Sequence, residues 1–448
     1  MKRLVLLFTL FTSTTIAAQQ TLSIDDCRAL AIQNNKELKI SELQIRKADA
    51  DQKAAFTKYF PQVSASGTYL RTQLDLQLID PSLLAPLAGV LPIPPGFVDN
   101  FNLDLQNIWL GRVSLTQPVF MGGKIISYNQ ITKYAKELAE AQNDISLQEV
   151  IYKTDETYWQ VISLVNKKKL ADAYVDLLKS TERDINLMIA EGVATAVDGL
   201  SIKVKLNEAE MAQTKVNNGL ALTRMALAQI CGLPLDEIII LSDELLDELS
   251  IETESVIVDI NEALINRPEL VALGHLNNIY KKREAIVLSE TLPNVGLMAN
   301  YLLINPNPSN SFNKEFGGSF SAGVLVSIPL SGWWEGTHKR NAAKAETLIQ
   351  KLNMDNARDR IELQVNQSIY KKNEANKNLA ASVRNMEKAD ENLKHAEFGF
   401  KEGVIPTLNL MEAQTAWVSA RSELINSQIE VKLTNVYLNK ALGKLTVD

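Results

Sequence analysis

Two hydrophobic periods alternate along the chain. Between Gln62 and Leu70 the period is two: Val63, Ala65, Gly67 and Tyr69 share one face, and Gln62, Ser64, Ser66 and Thr68 the other. That alternation predicts a strand with one apolar and one polar side. It returns at about 108–117 (Trp109, Val113 and Leu115 against Arg112, Ser114 and Thr116), at about 294–303 (Val295, Leu297, Ala299, Tyr301) and at about 318–328 (Phe320, Ala322, Val324, Val326 and Ile328 against Ser319, Ser321 and Ser327). Most of the remainder has helical spacing. Helices are expected over about 24–58, 124–190, 199–231, 260–291 and 335–400, with a last one ending near Leu442. Ser23 reads as the N-cap of the first, with Asp25 and Asp26 in its first turn. Pro118 is expected to end the second strand, Asp198 to start the third helix, and Asn266-Arg267-Pro268 to kink the fourth. In the fifth, Leu379, Val383, Met386 and Leu393 form a heptad-like seam, and Ala380, Ala381, Ala389 and Ala396 allow close approach.

Helix breakers fall in a pattern that permits great length. No Pro lies between Pro118 and Pro234 or between Pro329 and Pro406, and no Gly between Gly123 and Gly192 or between Gly336 and Gly399. A Pro costs about 3 and a Gly about 1 kcal/mol inside a helix, so these gaps suit two uninterrupted helices of roughly 100 Å each. Helices of that length need other long helices to pack on. Each ends at the same tripeptide, Glu191-Gly192-Val193 and Glu402-Gly403-Val404, separated by 211 positions (191 to 402), as are Gly232 and Gly443. This is a duplication, and each Glu-Gly-Val is read as the tip of a helical hairpin. Pro61 and Pro293 are 232 positions apart, but Pro118 and Pro329 again 211. The difference falls in the first inter-strand loop, about 72–107, which carries Pro81, Pro86, Pro92, Pro94 and Pro95. A loop that alone absorbs the insertion belongs at an exposed end. The expected organisation is a first repeat over 19–232, an acidic linker over 233–259 and a second repeat over 260–448.

Composition narrows the setting. Lys2-Arg3, the apolar run Leu4–Phe11 and the small residues ending at Ala17-Ala18 read as a signal peptide over 1–18. That run is far shorter than the ~20 residues that span a bilayer, and no later segment reaches that length. The formal charge of −7 argues against a nucleic-acid partner. Cys27 and Cys231 are the only cysteines; in an oxidising compartment they either pair or serve as small buried residues. His275, His338 and His395 are scattered and form no metal pair, and no phosphate loop, nucleophile elbow or paired-Cys motif occurs. No catalytic residue, cofactor or metal site is therefore expected, and the protein is not read as an enzyme.

Four strands of about ten residues with one apolar face suit transmembrane β segments, and Tyr59, Phe60, Trp109, Phe120, Tyr301, Phe316, Trp333 and Trp334 cluster near their ends as an aromatic girdle would. Four strands cannot close a barrel, and lipid tolerates no open edge, so copies must associate. With Asn266-Arg267-Pro268-Glu269-Leu270 and its weaker copy Asn34-Asn35-Lys36-Glu37-Leu38, Phe60-Pro61 and Leu292-Pro293, Gln117-Pro118-Val119-Phe120-Met121-Gly122-Gly123 and the two Glu-Gly-Val tips, the chain resembles the TolC-like outer-membrane efflux proteins over nearly its whole length. The fold this implies is mainly α with a small β part: a homotrimer with a twelve-stranded outer-membrane barrel and a helical tunnel in the periplasm. The implied partners are a periplasmic adaptor docking at the tips and an inner-membrane pump, proton-driven or ATP-driven.

The resemblance also carries candidate site residues. The family narrows its tunnel with acidic residues after the second tip, at positions that here are Asn409 and Glu412; only one is acidic. Asp198, 211 positions before Asn409, either adds charge or simply caps its helix. Glu412 either faces the pore or lies on a solvated helix face. The adaptor would meet Gly192, Val193, Ala194 and Thr195 at one tip and Gly403, Val404, Ile405 and Pro406 at the other, where the two glycines also serve as helix caps. The implied function is a passive exit duct for small molecules. Two alternatives stay open: the outer component of a type I protein secretion system, and a periplasmic coiled-coil protein without a pore.

Overall fold

A computed structural model describes residues 21–73, 75–77, 102–237, 239–245, 259–310 and 313–445. The expected signal peptide, the proline-rich part of the first inter-strand loop and part of the linker lie outside them. In order the elements are β1 (Thr21–Leu22), α1 (Ile24–Asn34), α2 (Lys36–Phe56), β2 (Gln62–Arg71), β3 (Asp75–Gln77), β4 (Asn102–Asp104), β5 (Asn107–Met121), α3 (Lys124–Ala190), α4 (Ala196–Cys231), β6 (Ile240–Leu241), α5 (Ile260–Asn266), α6 (Pro268–Ser289), β7 (Asn294–Asn305), β8 (Gly317–Ser327), α7 (Gly332–Lys401) and α8 (Thr407–Ala441). Among the described residues no helix is long and apolar enough to cross a membrane. The chain divides into two compact units, one of residues 1–44, 140–271 and 355–448, the other of residues 45–139 and 272–354.

The second unit holds a four-stranded antiparallel sheet in the order β2-β5-β7-β8. Its register aligns the alternation read from the sequence. Ala65, Val113, Tyr301 and Phe320 form one row across all four strands, and Val63, Leu115, Ala299 and Ala322 the next. Between them runs the polar row Ser64, Ser114, Asn300 and Ser321, in which Ser64 Oγ and Ser114 Oγ share a hydrogen bond of 2.8 Å. Among the described residues nothing covers the apolar rows: Val63 is 66%, Phe320 72% and Val324 61% exposed. Among the described residues both edge strands, β2 and β8, have one neighbour. Pro118 does not end its strand. β5 runs on to Met121 and shifts register between Pro118 and Phe120; an irregularity there accommodates a residue with no N–H to donate. Tyr301 sits within β7 rather than at its end.

The first unit is helical. Two helical runs are broken, one in each repeat, and the first break departs from the expected single helix over 24–58. α1 stops at Asn34 and α2 begins at Lys36, with Asn35 extended between them. The break has work to do: Asn34 Nδ2 donates to the Cys231 carbonyl at 3.4 Å and Asn35 Nδ2 to the Ile230 carbonyl at 3.2 Å, capping α4. Arg267 fills the matching place between α5 and α6. Its buried guanidinium donates to the carbonyls of Lys440 (3.1 Å) and Ala441 (3.2 Å) at the end of α8, and to Glu269 and Gln364. Helix ends leave carbonyls unpaired, and both breaks supply donors to them. Ser23 caps α1 in a reciprocal box with Asp26. Arg28 in α1 forms a two-point pair with Asp155 of α3, at 2.7 and 2.6 Å. Along α7 from Ala375 onward the buried positions are Ala375, Leu379, Ser382, Met386, Ala389, Leu393, Ala396 and Phe400. This 3-4 spacing is stricter than the expected seam: Ser382, with its hydroxyl bonded back to the Leu379 carbonyl, takes the inward place, while Val383, Ala380 and Ala381 face out.

Candidate functional site at the hairpin tips

The two tips share one backbone device. At the first, Gly192 donates to the Ile189 carbonyl (3.1 Å) and Val193 to the Met188 carbonyl (2.8 Å). At the second, Gly403 donates to Phe400 (3.0 Å) and Val404 to Gly399 (2.8 Å). These are Schellman closures, and they need a left-handed residue at the turn; Gly192 has φ 76° and Gly403 φ 71°. The helix signals at the tips were thus readable, and the closing pattern leaves Val193 (67% exposed) and Val404 (79% exposed) pointing away from the hairpins.

The tips differ in how the turn is filled and how the return helix starts. At the second tip Ile405 lies over Gly399, so close that a Cβ there would meet the isoleucine side chain at 2.5 Å. The matching pair at the first tip, 211 positions earlier, is Ala194 and Met188, so the large side chain has changed sides. α4 starts at Ala196, not at Gly199, with Thr195 as its N-cap. Thr195 Oγ1 and N–H donate to Asp198 Oδ2 at 2.6 and 2.9 Å, and Asp198 N–H returns to Thr195 Oγ1 at 3.3 Å. These bonds, the Thr195 hydroxyl first, hold the Asp198 carboxyl below its usual range, with a smaller contribution from Thr407 at the start of α8. Asp198 is therefore the third helical residue, closing a capping box with Thr195 that is legible in Thr195-x-x-Asp198. α8 begins after Pro406, which has no side-chain cap to offer.

Below the tips, α3, α4, α7 and α8 share a core of Val175, Leu178, Ile185, Ile202, Phe400 and Leu410, among others. One buried polar link crosses it: Gln414 Nε2 donates to Thr181 Oγ1 at 3.0 Å, while Gln414 Oε1 has no hydrogen-bond partner. Trp417 Nε1 donates to Asp390 Oδ1 at 2.5 Å, tying α8 to α7. No sequence motif announced either link; a Gln and a Trp on amphipathic helices look like surface and core until partners are known. Of the expected gate residues, Asp198 and the N-terminus of α8 are brought together through Thr407, whereas Asn409 and Glu412 are exposed on α8. Among the described residues no cluster of His, Cys, Asp or Glu is arranged to hold a metal.

The sequence profile of the outer membrane efflux protein family matches residues 28–233 and 260–444. No curated protein matches the chain. Several solved structures do. The outer membrane protein VceC of Vibrio cholerae is 13% identical, with TM-score 0.75, over 94% of this chain and 96% of that one. The CmeC outer membrane channel of Campylobacter jejuni is 14% identical, with TM-score 0.75, over 94% and 85%. The open-state MtrE outer membrane channel of Neisseria gonorrhoeae is 15% identical, with TM-score 0.74, over 95% and 90%. At such identities the likeness speaks for the fold, which is TolC-like; together with the profile match over most of its length, it follows that the chain belongs to the outer membrane efflux protein family.

Proposed function

We propose that this protein is the passive outer-membrane exit duct of a tripartite exporter of small molecules in a Gram-negative bacterium. Three copies join their sheets into a twelve-stranded barrel, and their helices enclose a tunnel in the periplasm. An inner-membrane pump supplies the energy, through a periplasmic adaptor that docks on the tips. The supporting observation is the sheet: its apolar rows lie open, and its edge strands β2 and β8 lack second neighbours. Water disfavours the first and lipid the second, and edge-to-edge closure with two further copies removes both problems within the known range of strand numbers.

In this reading Val193, Val404 and their neighbours from Gly192 to Thr195 and from Gly403 to Pro406 receive the adaptor, and Glu412, with Asn409 and Asp198, narrows the pore. Envelope fractionation and planar-bilayer recording test it. A detergent-requiring trimer with ion conductance is expected, and Glu412→Ala should raise conductance and weaken cation selectivity. A protein that stays monomeric and soluble without detergent sinks the duct reading, and unchanged selectivity removes Glu412 from the gate. Photo-crosslinkers at Val193 and Val404 should capture the adaptor; capture only from mid-helix positions refutes tip docking. Export of a folded-out polypeptide rather than small molecules by the reconstituted system would favour the secretion alternative.

A further inference from the structure

The chain has two cysteines in 448 residues. They are 204 positions apart in sequence, and the fold brings them to the same buried spot. Cys27 lies in the first turns of α1 and Cys231 is the last residue of α4; both are fully buried. The Cys231 thiol donates to the Cys27 carbonyl at 3.6 Å, and both are free thiols in this structure. Around them the core is apolar, built from Tyr158, Val161, Ile162, Leu227 and Leu241. The backbone is pinned on both sides of the pair. β1 and β6 pair in parallel, Thr21 with Ile240 and Leu22 with Leu241. The Asn34 and Asn35 amides hold the last carbonyls of α4. The two cysteines are thus held side by side by backbone contacts that do not involve their sulfurs.

We propose that Cys27 and Cys231 form an intrachain disulfide in the exported protein, closing α1 covalently onto the end of α4. The proposal rests on the export reading, because thiols of cytosolic proteins are kept reduced. The oxidant is a disulfide of the thiol–disulfide exchange class. Its sulfurs accept the two electrons and two protons that Cys27 and Cys231 give up, so that one Sγ–Sγ bond forms, the oxidant's own S–S bond breaks and two oxidant thiols leave. The hydrogen bond with Cys231, and then burial, push the Cys27 thiol well above its usual range. Both sulfurs are out of reach of an oxidant once the fold is complete, and the exchange therefore belongs to the folding stage, before α1 docks.

The test uses full-length protein extracted from the outer-membrane fraction and denatured in the presence of an alkylating reagent. The expected result is no labelled cysteine before reduction and two after it, with a tryptic peptide ending at Arg28 joined to one beginning at Met225. On a non-reducing denaturing gel the protein should run at monomer mass, and Cys27→Ser should expose one labelled thiol without reductant. Two labelled thiols in unreduced protein from the membrane fraction overturn the cross-link alone, as do disulfide-linked dimers. Protein confined to the cytosol overturns the cross-link and the export reading together.

Discussion

At the scale of single residues, the first tip is set by one capping box. Thr195 and Asp198 exchange three hydrogen bonds, and the carboxyl is held below its ordinary 3.8. A carboxylate whose folded pKa is depressed contributes stability that is fully present above the unfolded value and is lost as pH falls through the folded one. Thr195→Ala should therefore destabilise the start of α4 by about 1 kcal/mol at neutral pH. The cost should shrink once the pH drops well below 3.8. Amide hydrogen exchange of residues 196–199 in both proteins, at neutral and acid pH, checks this; an equal cost at both would remove Asp198 from the cap. The cap also bears on the gate, since a carboxylate that accepts bonds from its own turn has fewer lone pairs to spare for a pore. At the second tip Pro406 offers no such bonds, so the two return helices are fastened unequally.

At the scale of elements, the two hairpins share a backbone and differ in filling. Ile405 covers Gly399 at the second tip, where the first has Ala194 and Met188. Gly399→Met alone should overpack against Ile405 and cost about 1–3 kcal/mol. Adding Ile405→Ala recreates the first tip's pairing and should recover about 1 kcal/mol or more through coupling of neighbours. Denaturant midpoints of the detergent-solubilised single and double variants decide between coupling and simple addition. Much at this scale was legible in the sequence, because breakers and periods are local. The gap in Gly and Pro marks α3 and α7, and Glu-Gly-Val marks their ends. What escaped was tertiary. Nothing local says that Asn35 must leave the helix to cap α4, or that Ser382 rather than Val383 turns inward on α7. Asn and Ser have short polar side chains whose placement depends on an acceptor carbonyl, and that acceptor is on another helix for Asn35.

At the scale of the whole molecule, the sheet's alternation predicts opposite tolerances for neighbouring positions. Val113 belongs to an apolar row and Ser321 to a polar one. If the apolar rows face lipid, Val113→Arg should cost about 2–4 kcal/mol and deplete the protein from the outer membrane, whereas Ser321→Arg should be accepted and change conductance instead. Quantifying membrane-extracted trimer for both variants tests this; equal depletion would contradict a two-sided sheet. The strand faces were readable because period two is unambiguous over ten residues. The course of β5 past Pro118 was not, because the irregularity that rescues a proline depends on the partner strand. The gate positions were placed by resemblance alone, and in a single chain Glu412 is simply an exposed carboxylate.

The two helix breaks have a consequence for how the polypeptide can be divided. Asn34 and Asn35 seal the end of α4, and Arg267 seals the end of α8. Each half of the sequence thus closes on itself, while β5 and β7 join the halves side by side through an unbroken ladder from Trp109 to Gln117. Both seals and the ladder are built from residues outside the segment between 245 and 259. Two separately encoded polypeptides cut there should find one another and assemble as split fragments. The same arrangement would let the halves drift apart as independent subunits, each free to specialise its own tip.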